Sequence, residues 1–138
     1  MRFLTKLAAI AAFAGLAACA TTPAPTQAEI EAYDYGPRPT NEVFWSMAEQ
    51  EVRERLRDPE SARFKRGNAI RRGYWPQFFG EPIWGYYACG QVNSKNGFGG
   101  YVGDTYYLYV WMRGQTRYIQ IDDADGGIVG MQCQQNGF

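Results

Sequence analysis

The sequence predicts an α+β fold in which an N-terminal helix packs on a four- or five-stranded antiparallel sheet, arranged as a meander. Two observations predict it. From Trp45 to Leu56, apolar residues recur at spacings of three and four, the period of one helix face. After Arg63 the helical pattern ends, and short runs of β-branched and aromatic residues alternate with glycine-containing turns. A helix followed by strands that neighbour one another in sequence is typical of α+β domains.

The predicted helix begins at Thr40 or Asn41, either of which can accept hydrogen bonds from the first turn. Its apolar stripe consists of Phe44, Trp45, Met47, Ala48, Val52 and Leu56. The helix is expected to end at Asp58 and Pro59, because proline cannot continue it. Asp58 can then cap a short second turn with Pro59 at its first position, where the missing N–H is not needed.

The strands are expected at 63–71, 83–92, 105–112 and 116–121, with a short fifth strand at 128–132. The third is the clearest, because its residues alternate regularly between the two faces from Tyr106 to Met112. The short turn Arg113–Gln115 predicts that the third and fourth strands form an antiparallel hairpin.

The composition narrows the classes of function. A chain of 138 residues, 16% of them aromatic, has room for one small domain with an aromatic-rich core. It contains no histidine, which removes the Ser-His-Asp and Cys-His catalytic arrangements and the commonest metal ligand. Without Arg2 and Lys6 the chain keeps 12 basic and 14 acidic residues, so no global positive field attracts nucleic acid. No cofactor is expected.

The N-terminus has the pattern of a secretory signal, since Arg2 and Lys6 flank the start of an apolar run at 7–18 that is too short to span a bilayer. The run ends in Leu-Ala-Ala-Cys at 16–19, which resembles the lipobox of bacterial lipoproteins. The resemblance implies that Cys19 is acylated and anchors the chain in a lipid bilayer. Ala20 after it implies the periplasmic face of the outer membrane. The alternatives are an ordinary cleaved signal and a buried N-terminal helix.

These features divide the chain into three parts. Residues 1–18 are the signal peptide, and 19–39 are the lipidated cysteine with a solvated tether rich in proline and threonine. Residues 40–138 form one globular domain. Tyr33 and Tyr35 are placed to pack where the tether ends.

The cysteines predict a disulfide. Once Cys19 carries lipid, Cys89 and Cys133 remain as an even pair in an oxidising compartment. A bridge between them would pin the C-terminal segment to the second predicted strand. The alternative is two separate buried thiols.

Two segments, 58–64 and 89–103, read DPxSAxF and CGxVNxKNxFGGYxG. Together they resemble a family of short proteobacterial secreted or lipidated domains, for which the resemblance implies no activity, ligand or catalytic residue. Read physically, 93–104 is a glycine-rich loop in which Gly99 or Gly100 is placed for positive φ. It does not lead into a helix, which disfavours phosphate binding.

The 93–104 loop is either a surface loop fixed to the scaffold or a recognition element. Its candidate binding residues are Asn93, Lys95, Asn96, Phe98 and Tyr101. Phe98 and Tyr101 are expected to anchor the loop to the sheet, and Lys95 is expected to project into water.

Three other patterns have alternative interpretations. Trp84, Tyr86, Tyr107, Tyr109 and Trp111 are either a sugar-binding platform or the core of a sheet covered on both faces. The excess of basic residues from Arg53 to Arg72 is either a surface for anionic lipid or glycan, or a solvated helix end and edge strand. Residues 122–127 resemble part of a calcium loop, but Ile121 and Gln132 occupy two ligand positions, so no metal is expected.

The sequence therefore favours a non-catalytic envelope module that binds an envelope protein or peptidoglycan or another glycan. One alternative is an inhibitor that inserts a rigid loop into a foreign enzyme such as a lysozyme. The other is an enzyme that works without histidine, but no paired carboxylates lie in a recognisable motif.

Overall fold

A computed structural model describes residues 23–77, 80–123 and 127–138. Its helices are α1 (Gln27–Ala32), α2 (Asn41–Arg53) and α3 (Ile128–Gln135), with a short 3₁₀ helix at Pro59–Ser61. Its strands are β1 (Arg63–Lys65), β2 (Arg71–Trp75), β3 (Ile83–Asn93), β4 (Thr105–Met112) and β5 (Gln115–Ile121). The α+β prediction is confirmed. Within these ranges, every helix is too short or too polar to cross a membrane.

All five strands belong to one antiparallel sheet whose centre is the meander β3-β4-β5. β1 and β2 both pair with β3, β1 opposite 91–93 and β2 opposite 83–87, so they lie end to end along one edge. The single strand predicted at 63–71 is therefore two strands. Between them Arg66 turns towards α2, where its guanidinium pairs with Glu42 at 3.0 Å and with Glu49 at 2.7 Å.

The β4-β5 hairpin has a tighter turn than predicted, since Gln115 already belongs to β5 and pairs with Met112. The two turn residues, Arg113 and Gly114, have φ of 53° and 80°. Positive φ at both positions is the geometry whose twist matches that of the flanking strands.

Helix α2 packs on one face of the sheet as predicted, with Thr40 accepting a hydrogen bond from the Val43 N–H at its start. Phe44, Trp45, Ala48 and Val52 of this helix are buried together with Tyr86, Ala88, Tyr107, Tyr109 and Trp111 of the sheet. Those four sheet aromatics are at most 5% exposed. They are core residues, so the sugar-platform interpretation is wrong for them. Trp84 is half-buried and stacks on Tyr33, with ring centroids 4.3 Å apart.

The tether predicted for 19–39 is wrong over its second half. Thr26 and Glu29 form a capping box that starts α1, and Tyr35 is only 3% exposed. The Tyr35 hydroxyl donates to the Ile30 carbonyl at 2.9 Å. The aromatic rings of Tyr33 and Tyr35 lie against the sheet residues Trp84 and Tyr86. These contacts, with the Tyr35–Ile30 hydrogen bond, join the segment upstream of residue 40, including α1, to the domain.

The strand predicted at 128–132 is instead part of helix α3, on the sheet face opposite α2. Val129 and Cys133 are spaced four residues apart and are fully buried against β4. The Asp122 carboxylate caps the helix, accepting from the N–H groups of Val129 at 2.9 Å and Gly130 at 2.5 Å. This helix carries the predicted disulfide between Cys89 and Cys133, whose Cα atoms are 6.0 Å apart.

The buried hydroxyl of Tyr107 is expected to lower the stability of the domain. Within the described residues it has no hydrogen-bond partner, and burial raises its pKa, as burial also raises the pKa of Tyr109. Tyr107→Phe is expected to raise the free energy of unfolding by about 1 kcal/mol at neutral pH, because a buried polar group without a partner is costly.

The raised pKa values of Tyr107 and Tyr109 determine how the stability of the fold changes with pH. Above about pH 10 the unfolded chain loses tyrosine protons that the folded chain keeps, so stability falls as pH rises. Urea titrations at pH 7 and above pH 10 should show a smaller alkaline loss for Tyr107→Phe than for the wild type. A less stable variant at pH 7 would mean that the hydroxyl has a favourable partner.

Candidate functional site

The 93–104 loop is a structured extension of the β3-β4 hairpin. The Asn96 N–H donates to the Gly100 carbonyl at 2.8 Å, and Lys95 lies opposite Tyr101 in an antiparallel bridge. The Val102 N–H donates to the Ser94 carbonyl at 3.4 Å. The chain therefore reverses between Asn96 and Gly100 and places Phe98 at the tip.

The side chains of both asparagines hold this conformation. The Asn96 side-chain carbonyl accepts from the N–H groups of Phe98 and Gly100, at 3.0 and 3.1 Å. The Asn93 side-chain carbonyl accepts from the Gly103 N–H at 3.1 Å. Asn96 thus forms the turn that asparagine favours. Both side-chain carbonyls accept hydrogen bonds from within the loop. These two residues therefore stabilise the loop and do not primarily provide acceptors for a ligand.

Glycine is needed at Gly99 and Gly103, where φ is 83° and 96°. This region of backbone conformation is costly for other residues. Of the two positions predicted for positive φ, Gly99 has it and Gly100 does not.

Tyr101 anchors the loop, but to the 58–63 segment. Its hydroxyl donates to the Ser61 carbonyl at 3.2 Å, and the Arg63 guanidinium lies 4.2 Å from the centre of its ring. The Lys95 backbone N–H donates to the Ser61 hydroxyl at 2.9 Å. The loop is therefore fixed at its base by three contacts with Ser61 and Arg63, at and just before the start of β1.

Phe98 is not an anchor, which corrects the prediction. Its side chain is 100% exposed, while Tyr101 and Val102 nearby in sequence are 39% and 42% exposed. The Asn96 bonds fix the backbone on either side of Phe98 in a turn that leaves its ring in water. A fully exposed phenylalanine at the tip of an ordered loop costs hydration free energy in the isolated protein. Burial of the ring by a partner would remove that cost.

Three cationic side chains lie close to this loop. The Nζ of Lys95 lies 5.6 Å from the centre of the Tyr101 ring. Arg63 contacts the same ring. The Arg57 guanidinium lies 3.3 Å from the position that a Cβ on Gly97 would occupy. In the described part of the chain, none of these cations pairs with a carboxylate. These three cations therefore lie at the base of the loop that carries Phe98 at its tip.

The sequence missed Arg57, Ser61 and Arg63 as parts of this site. Signals for them were present, because the segments 58–64 and 89–103 form two motifs, the first containing Ser61 and Arg63, and Arg57 lies in the basic run 53–72. Their joint appearance has a physical explanation in the structure, where Ser61 and Arg63 of the first segment contact Lys95 and Tyr101 of the second.

The other predicted sites are separate from the loop. Cys19 lies outside the described residues, and so does part of the 122–127 turn. The Cys89–Cys133 disulfide lies on the α3 face and has a structural role. Among the described residues no three carboxylates or cysteines are grouped to hold a metal ion. Asp122 is instead occupied by the amides of α3, and Asp104 forms an ion pair with Lys65.

Comparisons with known proteins found no match: no family model, no curated protein and no solved structure matches the chain.

Proposed function

We propose that this chain is a lipid-anchored, non-catalytic envelope protein that binds a partner protein through the 93–104 loop. The observation that carries the proposal is the complete exposure of Phe98 on a loop held by hydrogen bonds. Aromatic residues are enriched at protein interfaces, and the backbone of this turn is already ordered before binding, which lowers the entropic cost of association.

The three cations at the base of the loop indicate the chemistry of the partner. Arg57, Arg63 and Lys95 would face carboxylates around an apolar pocket that receives the Phe98 ring. A glycan is less suited to this loop, since sugar hydroxyls need free polar partners and the Asn93 and Asn96 carbonyls are already used. The preferred partner is therefore an acidic protein surface.

The same geometry suits the inhibitor hypothesis. A glycoside hydrolase carries two carboxylates in its cleft. A projecting phenylalanine with cations at its base would complement such a cleft, so a lysozyme assay with the purified protein belongs beside the search for an envelope partner.

A charge-reduced variant tests the partner's chemistry. Immobilised wild-type protein is expected to retain a protein from solubilised envelopes at low ionic strength and to release it as salt rises. Arg63→Ala should weaken this capture. The matched control is Arg117→Ala, which removes an exposed arginine from β5 instead. Equal capture by both variants, or retention of glycan without protein, would contradict the proposal.

The proposed anchor at Cys19 rests on the lipobox resemblance and makes its own prediction. Labelled fatty acid should enter the wild-type protein, and Cys19→Ser should abolish both the label and membrane retention. Several acyl chains at about 0.8 kcal/mol per buried methylene make such attachment effectively permanent. A variant that keeps its label would overturn the assignment.

The proposed anchor and the early start of the packed domain together limit the reach of the loop. Residues 19–25 number seven. Fully extended, they span at most about 25 Å. The domain would therefore stay near the membrane surface, and partners deep in the periplasm would have to approach it.

A further inference from the structure

A second candidate site lies on the α3 face of the sheet, away from the 93–104 loop. It is a cavity of about 240 Å³ between the end of β2, strand β5 and helix α3. Its lining residues are Trp75, Pro76, Gln77, Tyr118, Gln120, Ile128 and Gln132. Trp75 pairs with Ile83 at the start of β3, whereas the loop follows Asn93 at the end of β3. The sites therefore lie towards opposite ends of this strand.

Among the described residues that line this cavity, none carries a charged side chain, and three carry primary amides. A charged ligand would lose its hydration there without gaining a partner of opposite charge, which is strongly unfavourable. An amide offers two donors and an acceptor. That combination matches hydroxyl and acetamido groups, which also donate and accept.

The amides are available and partly oriented. The Tyr118 hydroxyl donates to the Gln120 side-chain oxygen at 2.7 Å, which leaves the Gln120 NH₂ group free to donate to a ligand. In the described part of the chain, the Gln77 and Gln132 side chains form no hydrogen bond. The half-buried Tyr118 supplies aromatic surface, whereas Trp75, only 3% exposed, contributes little accessible area.

The wall that carries Gln132 is held in place. The neighbouring residue, Cys133, is covalently joined to Cys89 of β3, and Asp122 caps the first turn of the same helix. Ile128, 46% exposed, lies at the start of this helix and adds apolar surface to the lining. A fixed set of polar groups over an aromatic and apolar surface is the usual composition of a small-molecule site.

We propose that this cavity binds a single neutral saccharide unit, with the Gln77, Gln120 and Gln132 amides hydrogen-bonded to its hydroxyl or acetamido groups and its ring against Tyr118. The cavity is smaller than the roughly 300–1,000 Å³ of sites for drug-sized ligands, which favours one sugar ring over a longer oligosaccharide. This site is independent of the 93–104 loop and of its partner.

The test is a titration of the full-length, ¹⁵N-labelled protein with N-acetylglucosamine. The side-chain NH₂ resonances of Gln77, Gln120 and Gln132 should shift together as the sugar saturates the site. Glucosamine, which has the same ring with a cationic amine, should bind about tenfold more weakly or not at all. Shifts confined to other residues, equal binding of glucosamine, or no binding would overturn the proposal.

Variants separate a true site from a surface contact. Gln132→Leu should weaken binding by about tenfold, the effect of losing one hydrogen bond. Gln135→Leu, on an exposed position of the same helix, is the matched control and should bind like the wild type. Gln120→Ala gives a second variant should Gln132→Leu fail to fold. Unchanged affinity in a folded Gln132→Leu or Gln120→Ala variant would contradict the assignment.

A sedimentation assay distinguishes the source of the sugar. If the ligand is a unit of cell-wall glycan, purified wall should sediment the wild-type protein and not Gln132→Leu. Binding of soluble N-acetylglucosamine without sedimentation would assign the cavity to free saccharide.

Discussion

Replacing Cys89 and Cys133 together by alanine is expected to lower the free energy of unfolding by about 4 kcal/mol. The bridge closes a span of 44 residues, and the chain-entropy estimate for a loop of that length gives roughly this value. A small domain has a total stability of only about 5–15 kcal/mol. Loss of the bridge would therefore remove a large share of it.

The measurement is urea denaturation of the oxidised wild type, the reduced wild type and the double variant. Reduced wild type and double variant should have similar, low midpoints, and reductant should leave the double variant unchanged. Coincident curves for oxidised and reduced wild-type protein would show that the bridge contributes nothing.

Phe98→Ala is expected to weaken partner binding by about 2 kcal/mol or more, which corresponds to about 30-fold in affinity. The side chain is fully exposed in the free protein, so its truncation removes no internal packing. The free energy of unfolding should stay within about 0.5 kcal/mol of the wild-type value, as for other surface substitutions.

The elements that the sequence predicted well are those governed by local periodicity. The α2 stripe, with Trp45, Ala48 and Val52 buried, follows from helix geometry alone. The Asp58 cap before Pro59 and the alternation along β4 are equally local. The Cys89–Cys133 pair followed from the cysteine count, which needs no three-dimensional information.

The failures arose where tertiary contacts override a local pattern. The local pattern of the first half of α3 predicts a strand, because the carboxylate cap of this helix comes from Asp122, before the glycines that precede it. The composition of the N-terminal segment predicts a tether, because the burial of Tyr35 depends on the distant strand residues Trp84 and Tyr86.

In the 93–104 loop, too, the local features were predictable and the tertiary contacts were not. Its turn-forming glycines and asparagines were visible in the sequence, but the direction of the Phe98 ring was not. An apolar residue is expected in the core by default. Although core residues are mostly apolar, many apolar residues are exposed in folded proteins. The contacts of Tyr101 with Ser61 and Arg63 join residues about 40 positions apart. No local pattern reports such a contact.

The most direct measurement of the central claim is partner affinity and melting temperature determined on the same preparations of wild type, Phe98→Ala and Val43→Ala. Val43 is an exposed apolar residue of α2, 45% exposed, and serves as the matched control. The account predicts wild-type melting temperatures for all three proteins and a loss of affinity, about 30-fold, for Phe98→Ala alone. Wild-type affinity in a stably folded Phe98→Ala variant would contradict it.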